Sequence, residues 1–124
     1  MRDPERRRRG RAKMREVYNF DFDPDQLPGD FASLTVDHLF GEIWDRDALS
    51  VAQRRLLTIG VLAAQGQAAL LEVQFTSALR NGELTVQQVR EVVVHLAHYV
   101  GWPLGTAVDG AAENAIRADE AVKD

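Results

Sequence analysis

Two pairs of residues in this sequence, each four positions apart, have the residue types and spacing for acid–base or anion-binding chemistry. His95 and Tyr99 are four residues apart, so on a helix they share a face. Histidine changes charge near neutral pH, which suits His95 to the role of general acid. The alternative is a structural histidine, buried or at an interface and hydrogen-bonded to a carbonyl. Tyr99 could bind substrate, although its position before Gly101 favours closing the turn that follows the helix.

The second pair is Glu42 and Arg46, and His38 precedes Glu42 by four residues. Glu42 and Arg46 could form a helix-surface ion pair worth a few tenths of a kcal/mol. They could instead form an anion site, with Arg46 gripping a substrate carboxylate through two parallel hydrogen bonds. His38 could line the same cleft. The sequence leaves both interpretations open.

A metal site is not expected. His95 and His98 are spaced as half of a site, but nothing else supplies a third ligand at a telling spacing, and a catalytic zinc needs three. The neighbouring Arg54 and Arg55 would face partly different directions. One of them could hold carboxylates of a partner subunit.

Length and composition predict one cytoplasmic domain over residues 1–124. The absence of cysteine excludes disulfides, thiolate metal sites and thiol catalysis. The longest apolar run, residues 56–64, is far shorter than the roughly 20 residues that a membrane span needs. The basic start is not followed by the apolar segment of a secretory signal. No membrane partner is therefore expected.

The positive charge is concentrated at the start of the chain. Residues 1–15 hold eight of the 15 Lys and Arg residues, and the rest of the chain is acidic. "RRRRGR" (6–11) could be a nucleic-acid-binding arm. Because no nucleic-acid module follows, the preferred interpretation is the solvated start of a first helix, with no nucleic-acid partner. A proline-bearing linker follows within residues 19–30.

Helical periodicity dominates the remainder and predicts an all-α fold. Ser50 and Thr85 each begin a capping-box pattern with Gln three residues later. Gly82 and Gly101 are placed to end helices. The apolar girth of the third helix predicts a central position for it. The last helix presents a stripe of small and apolar residues at heptad-like spacing, which permits close helix approach within the subunit or between subunits; they are Leu104, Val108, Ala111 and Ala115. The predicted helices span residues 4–18, 30–44, 50–65, 67–81, 85–100 and 103–121.

Two long segments resemble the carboxymuconolactone decarboxylase family. They are "HLFGEIWDRDALSVAQRRLLTIGVLAA" (38–64) and "EVQFTSALRNGELTVQQVREVVVHLAHYVGWP" (72–103). The combination carries the resemblance: Gly-Glu-Ile-Trp-x-Arg at 41–46, Ala-Leu-x-Asn-Gly at 78–82 and Tyr-x-Gly-x-Pro at 99–103. It covers residues 6 to 121. It implies a single-domain helical bundle of the alkylhydroperoxidase-D-like type that assembles as a homo-oligomer, a hexamer or trimer.

The resemblance also implies one of two activities, and the sequence excludes the first. The peroxidases of this superfamily use a Cys-x-x-Cys-x-x-x-His motif and an upstream glutamate. Those positions match Gln67, Leu70, Gln74 and, for the glutamate, Arg55. Without a thiolate there is no nucleophile to attack a peroxide.

The second activity is cofactor-free decarboxylation of a lactone acid in aromatic catabolism. Family decarboxylases resemble this chain but have histidine where Gln74 stands, and glutamine carries no proton at neutral pH. His95 matches a histidine of some family decarboxylases. The preferred hypothesis is a decarboxylase acting on a small carboxylate or lactone, with His95, Gln74 and Glu42 as catalytic residues. Arg46, His38 and Tyr99 would bind substrate. The alternatives are a ligand-binding or assembly protein without lyase activity, and another cofactor-free proton-transfer or ring-forming reaction.

Overall fold

The computed structural model describes residues 3–123, and within them the fold is all-α with no strand. The helices are α1 (Pro4–Tyr18), α2 (Phe31–Leu34, continuing as a π-helix over Thr35–Ile43), α3 (Val51–Ala64), α4 (Ala68–Arg80), α5 (Val86–Val100) and α6 (Trp102–Lys123). A 3₁₀ turn, Pro24–Gln26, lies in the predicted linker. All six predicted helices are confirmed to within two residues at each end. No helix of the described residues is long and apolar enough to cross a membrane.

These helices form two compact units. The N-terminal unit ends at Val51, and the C-terminal unit begins at Ala52. The N-terminal unit contains α1 and α2, and the C-terminal unit contains α3 to α6. The organisation of the whole chain as one domain stays a prediction.

In the N-terminal unit, α1 crosses α2 at two glycines. A Cβ atom on Gly10 would lie 1.9 Å from the carbonyl oxygen of Val36, and one on Gly41 would lie 2.9 Å from the carbonyl oxygen of Arg6. Only glycine allows this backbone approach. The small core beside the crossing consists of Met14, Val17, Val36, Phe40 and Trp44.

The basic residues of α1 are paired with carboxylates of their own unit. Arg7 donates to both oxygens of the buried Asp37, with Nη2 to Oδ2 at 3.0 Å. Arg11 and Arg15 both contact Asp21, and the hydrogen bond from Arg11 lowers the pKa of that carboxyl. The arginine-rich start is thus an ordered helix whose charge is largely balanced within its own unit, which supports the preferred interpretation over a nucleic-acid-binding arm.

The second half of α2 differs from the prediction in its winding. The Trp44 amide donates to the carbonyl of Leu39, five residues earlier, at 2.8 Å. This is the hydrogen-bond pattern of a π-helix, which is rare and usually limited to a single turn. Apolar periodicity correctly predicted a helix here but does not distinguish this winding from an ordinary α-helix.

In the C-terminal unit, α4, α5 and α6 pack around a shared apolar core with one face of α3. The buried residues are Ile59, Ala63, Leu71, Phe75, Leu79, Val89, Val93, Val108, Ala111, Ala112, Ala115 and Ile116. The predicted stripe of small residues on α6 is confirmed as a packing face. A Cβ atom on Gly105 would come within 2.7 Å of the Cβ atom of Ala97 on α5. Thr85 forms the predicted capping box with Gln88 at the start of α5.

The expectation that α3 is central is wrong for the chain by itself. Ile59 and Ala63 are fully buried, but Leu57 is 62% exposed and Val61 is 56% exposed. The apolar surface of α3 surrounds the helix, whereas the other helices of the C-terminal unit pack against only one side of it. A helix that is apolar all round is normally buried on every side.

Candidate active site

The wall of a pocket in the C-terminal unit is formed mainly by α5. The pocket has a volume of about 550 Å³ and is lined by Leu56, Leu84, Gln88, Glu91, Val92, His95 and Leu96. Its size falls in the range of small-molecule sites. The polar lining residues, Gln88, Glu91 and His95, follow one another at three- and four-residue spacing, so they form one stripe on α5. The other lining residues are aliphatic, which produces a largely apolar pocket with one polar wall.

His95 is the pocket residue best suited to proton transfer. It is exposed, and neither of its ring nitrogens is hydrogen-bonded within residues 3–123. His98, on the same helix, differs because its Nδ1 lies 2.7 Å from the carbonyl oxygen of Val94. The sequence analysis considered a structural role for His95, as a histidine hydrogen-bonded to a carbonyl. In the structure His98 has that role.

Tyr99 does not close the turn after α5. Its side chain is 79% exposed, and its ring lies 5.0 Å from that of His95, centroid to centroid, at a tilt of 33°. The turn is made instead by Gly101, whose φ of +95° suits glycine and whose amide donates to the carbonyl of Ala97. Tyr99 therefore accompanies His95 on the surface of α5, and a role in substrate binding stays a prediction.

Glu91 and Gln88 are pocket residues that the sequence analysis missed. A signal was available, since Glu91 precedes His95 by four residues and Gln88 precedes it by seven. The side chain of Glu91 has no hydrogen-bond or ion-pair partner within residues 3–123. Its neighbour Arg90 is bound to both carboxylate oxygens of Glu113 on α6, at 3.0 Å each. Arg90, the cationic residue next to Glu91 in the sequence, is thus paired with Glu113 and not with Glu91.

Arg55 forms a buried polar network with Gln74 and Glu83. The guanidinium donates through Nε and Nη2 to the two oxygens of Glu83, at 3.0 Å each, and through Nη1 to Oε1 of Gln74, also at 3.0 Å. Arg55 is fully buried, and the side chain of Glu83 is 10% exposed. The expected use of an arginine here, to hold a partner's carboxylates, is therefore wrong for Arg55, which binds a carboxylate of its own chain.

Gln74 is positioned by this network and lies outside the pocket lining. It is 3% exposed. Because a guanidinium only donates hydrogen bonds, Gln74 must turn its oxygen toward Arg55, and this sets the orientation of the amide. The resemblance to the peroxidases places their histidine at Gln74 and their glutamate at Arg55. These positions are in direct contact here, as a neutral amide and a cation.

The remaining predicted site residues belong to the N-terminal unit. Glu42 lies 2.7 Å from Nη2 of Arg6 and 3.3 Å from Nδ1 of His38. Arg46 lies beyond the end of α2, where its amide donates to the carbonyl of Ile43. The predicted pairing of Glu42 with Arg46 assumed that both residues lie on one helix. Because α2 ends before Arg46, their four-residue spacing does not place them on a shared helix face. A role of His38, Glu42 and Arg46 at a substrate site stays a prediction.

Comparison with known proteins identifies the family. The model of the carboxymuconolactone decarboxylase family matches residues 29–114. The chain belongs to this family. The match includes every residue of the α5 pocket and the whole Arg55–Gln74–Glu83 network, whereas α1 lies outside it.

Two curated relatives have names that describe decarboxylases. A 4-carboxymuconolactone decarboxylase of Acinetobacter baylyi is 31% identical over 88 residues, which is 71% of this chain and 65% of the relative. A nitrosuccinic acid decarboxylase, npaB, of Metarhizium robertsii is 36% identical over 70 residues, which is 56% of this chain and 48% of the relative. The chain thus spans less than two thirds of either relative. No solved structure matches it.

Proposed function

We propose that this protein is a decarboxylase that acts on a small carboxylic acid or lactone acid without a cofactor, with His95 delivering the proton. The observation that carries the proposal is the imidazole of His95 on the wall of a largely apolar pocket, with no hydrogen bond from the described residues to either ring nitrogen. The names of the two relatives support the reaction type.

The reaction needs little from the protein beyond a desolvating pocket and a proton donor. The bond between the carboxylate and the adjacent carbon breaks, carbon dioxide leaves, and the electron pair stays on the substrate. A conjugated carbonyl of the substrate accepts that pair as an enolate, or a nitro group on the same carbon accepts it as a nitronate. The protonated imidazole of His95 then transfers its proton to carbon and is reprotonated by water. The aliphatic walls weaken hydration of the carboxylate, which favours its loss as neutral carbon dioxide.

In this proposal Gln74 helps to hold pocket-lining residues in position and does not transfer a proton. Its amide is held by Arg55, and Arg55 is held in turn by Glu83. Arg55 directly precedes Leu56 and Glu83 directly precedes Leu84, and both leucines line the pocket. The network therefore sets the positions of two pocket-lining residues. Glu42, the third predicted catalytic residue, has no assigned step in this scheme.

A second candidate function is ligand binding without turnover. Among the described residues, the pocket lining contains no arginine or lysine to hold a substrate carboxylate, and with His95 neutral its formal charge is the negative one of Glu91. The polar group at the position of the family histidine is the non-titrating Gln74. These observations favour a pocket that binds a small molecule and leaves it unchanged.

Carbon dioxide release separates the two functions. We expect the wild type to release carbon dioxide from 4-carboxymuconolactone or nitrosuccinic acid faster than buffer does. Gln74→His tests the position of the family histidine, because a neutral imidazole can still accept the hydrogen bond from Arg55. Activity in this variant alone would mean that the pocket is competent but adapted to another acid. Inactivity of both proteins would contradict the decarboxylase proposal for these substrates and favour ligand binding.

We further propose that the protein self-associates through the exposed side of α3. Leu57 and Val61 lie one turn apart and are each more than half exposed. Exposed apolar surface of this kind is typical of protein–protein contacts. Leu57→Glu with Val61→Glu is expected to reduce the mass measured by light scattering to that of a smaller species. Val122→Glu, on α6 with a side chain 68% exposed, is the matched control and should keep the wild-type mass. A wild type that is monomeric at micromolar concentration would contradict this proposal.

A further inference from the structure

The proton transfer proposed for His95 gives its two ring N–H groups different roles. A protonated imidazole carries a hydrogen on each ring nitrogen. One N–H delivers its proton to carbon, and the other keeps its hydrogen. His95 is exposed, and neither ring nitrogen is hydrogen-bonded within residues 3–123, so water can solvate both. A ligand that fills the pocket displaces some of that water, and a buried donor without an acceptor is disfavoured. The N–H that does not face the ligand therefore needs an acceptor from the protein.

The surroundings of His95 offer few acceptors for that N–H group. The ring of Tyr99 lies against the imidazole with centroids 5.0 Å apart and planes tilted by 33°, so it covers a ring face and leaves the in-plane N–H groups open. The side-chain oxygen of Gln88 already accepts from the Thr85 amide at 2.9 Å. Apart from Glu91, the other lining residues are aliphatic. Glu91 is therefore the acceptor that the described pocket lining provides.

Glu91 stands one helical turn before His95 on the polar stripe of α5. Side chains of a helix lean toward its N-terminus, so the imidazole of His95 extends over the turn that carries Glu91. The side chain of Glu91 is exposed and has no other hydrogen bond or ion pair within residues 3–123. The guanidinium of Arg90 beside it is held by both carboxylate oxygens of Glu113. Residues four apart on a helix are close enough to pair, so rotation of the two side chains is sufficient to join Glu91 and His95.

The charges of this pair are opposite in the state that transfers the proton. A carboxylate and an imidazolium stabilise each other, and the attraction grows as a ligand excludes water and the effective dielectric falls. The pair of Glu91 and protonated His95 is neutral overall. It therefore does not oppose the entry of an acid with one carboxylate or with two.

We propose that Glu91 is a positioning residue for His95. Its carboxylate accepts one ring N–H of His95 once a ligand fills the pocket, and this directs the other N–H toward the substrate carbon. The proposal rests on the proposed function in taking His95 as the proton donor. Glu91 acts through His95 and transfers no proton to the substrate.

The contact between Glu91 and His95 is tested without turnover by nuclear magnetic resonance. The probe is 3-nitropropanoate, the acid that remains when nitrosuccinic acid loses the carboxylate beside its nitro group. At a fixed, mildly acidic pH, where histidine is protonated, the wild type with millimolar probe is expected to show a ring N–H proton of His95 that exchanges slowly with water. Glu91→Ala, which keeps a residue that favours helix, should lose this signal. Glu120→Ala removes the same charge from an exposed position on α6 outside the pocket lining and should keep the signal. A wild type without the signal would overturn the proposal, as would a signal that Glu91→Ala leaves unchanged.

The effect on the reaction is measured with whichever acid the wild type decarboxylates. Glu91→Ala is expected to lower kcat by about tenfold, a part of the roughly 10²–10⁴-fold contribution of a general acid, and to change KM by less than about twofold. Adding Glu91→Ala to His95→Ala should cause no further loss, because Glu91 acts through His95. Losses that multiply in the double variant would overturn the proposal. A slowly exchanging N–H that depends on Glu91, in a protein that releases no carbon dioxide, would contradict the proposed function and support the contact between Glu91 and His95.

Discussion

Replacing Glu83 by alanine is expected to lower the free energy of unfolding by about 3–5 kcal/mol. The reason is the position of Arg55, whose side chain is 1% exposed and binds Glu83 through two parallel hydrogen bonds. Without the carboxylate, the guanidinium stays in the interior as an uncompensated charge. Removal of one partner of a buried pair is far more costly than loss of a surface ion pair, which is worth about 0–1 kcal/mol.

Urea denaturation followed by circular dichroism measures this loss. Glu120→Ala, at an exposed position on α6, is the control and should change stability by less than about 0.5 kcal/mol. The double variant Arg55→Met with Glu83→Leu should recover much of the loss, because it removes both charges together and replaces them with apolar contacts. A Glu83→Ala variant as stable as the Glu120→Ala control would show that the pair does not hold α3 to the turn before α5.

Replacing His95 by alanine is expected to reduce the rate of carbon dioxide release by about 10²–10⁴-fold, the usual contribution of a general acid. The imidazole of His95 reaches the pocket with no competing hydrogen bond, so its loss removes the proton donor without breaking a structural contact of its ring nitrogens. The effect should fall mainly on kcat, because proton transfer occurs after binding. The measurement uses whichever acid the wild type decarboxylates.

His98→Ala is the matched control for this experiment. His98 lies on the same helix three residues later and is hydrogen-bonded to the backbone of its own helix. It should keep kcat within about threefold of the wild type, since its imidazole does not line the pocket. Similar losses of kcat in both variants would indicate a general disturbance of α5 and would contradict a specific role for His95.

The order and bounds of the helices could be read from the residues because helix signals are local. The capping box at Thr85 and the glycine at Gly101 each act within one turn of their own position. The apolar repeat along α6 likewise predicted the face that packs in the core. The family, too, could be recognised from short motifs. Such features depend on residues a few positions apart, so a single sequence contains them.

The candidate site depended on contacts between residues distant in sequence. Arg55 and Glu83 are 28 residues apart, and nothing near either residue indicates that one will bind the other. Two arginines stand side by side in the sequence, and only the packing of α3 decides that Arg55 enters the interior. The same holds for the pocket, where Leu56 of α3 lies opposite the polar stripe of α5.

The two histidines of α5 show the same difference between what the sequence determines and what the packing of helices determines. The sequence identified His95 and His98 as the residues of α5 whose side-chain type changes charge near neutral pH, because residue type alone establishes that property. Their environments differ because His95 faces the pocket, whereas His98 bonds to Val94. The polarity of the pocket wall and the unpaired carboxylate of Glu91 likewise follow from which sides of α3 and α5 face each other. Local sequence determines which groups a helix carries, and packing between helices decides which of those groups meet a ligand.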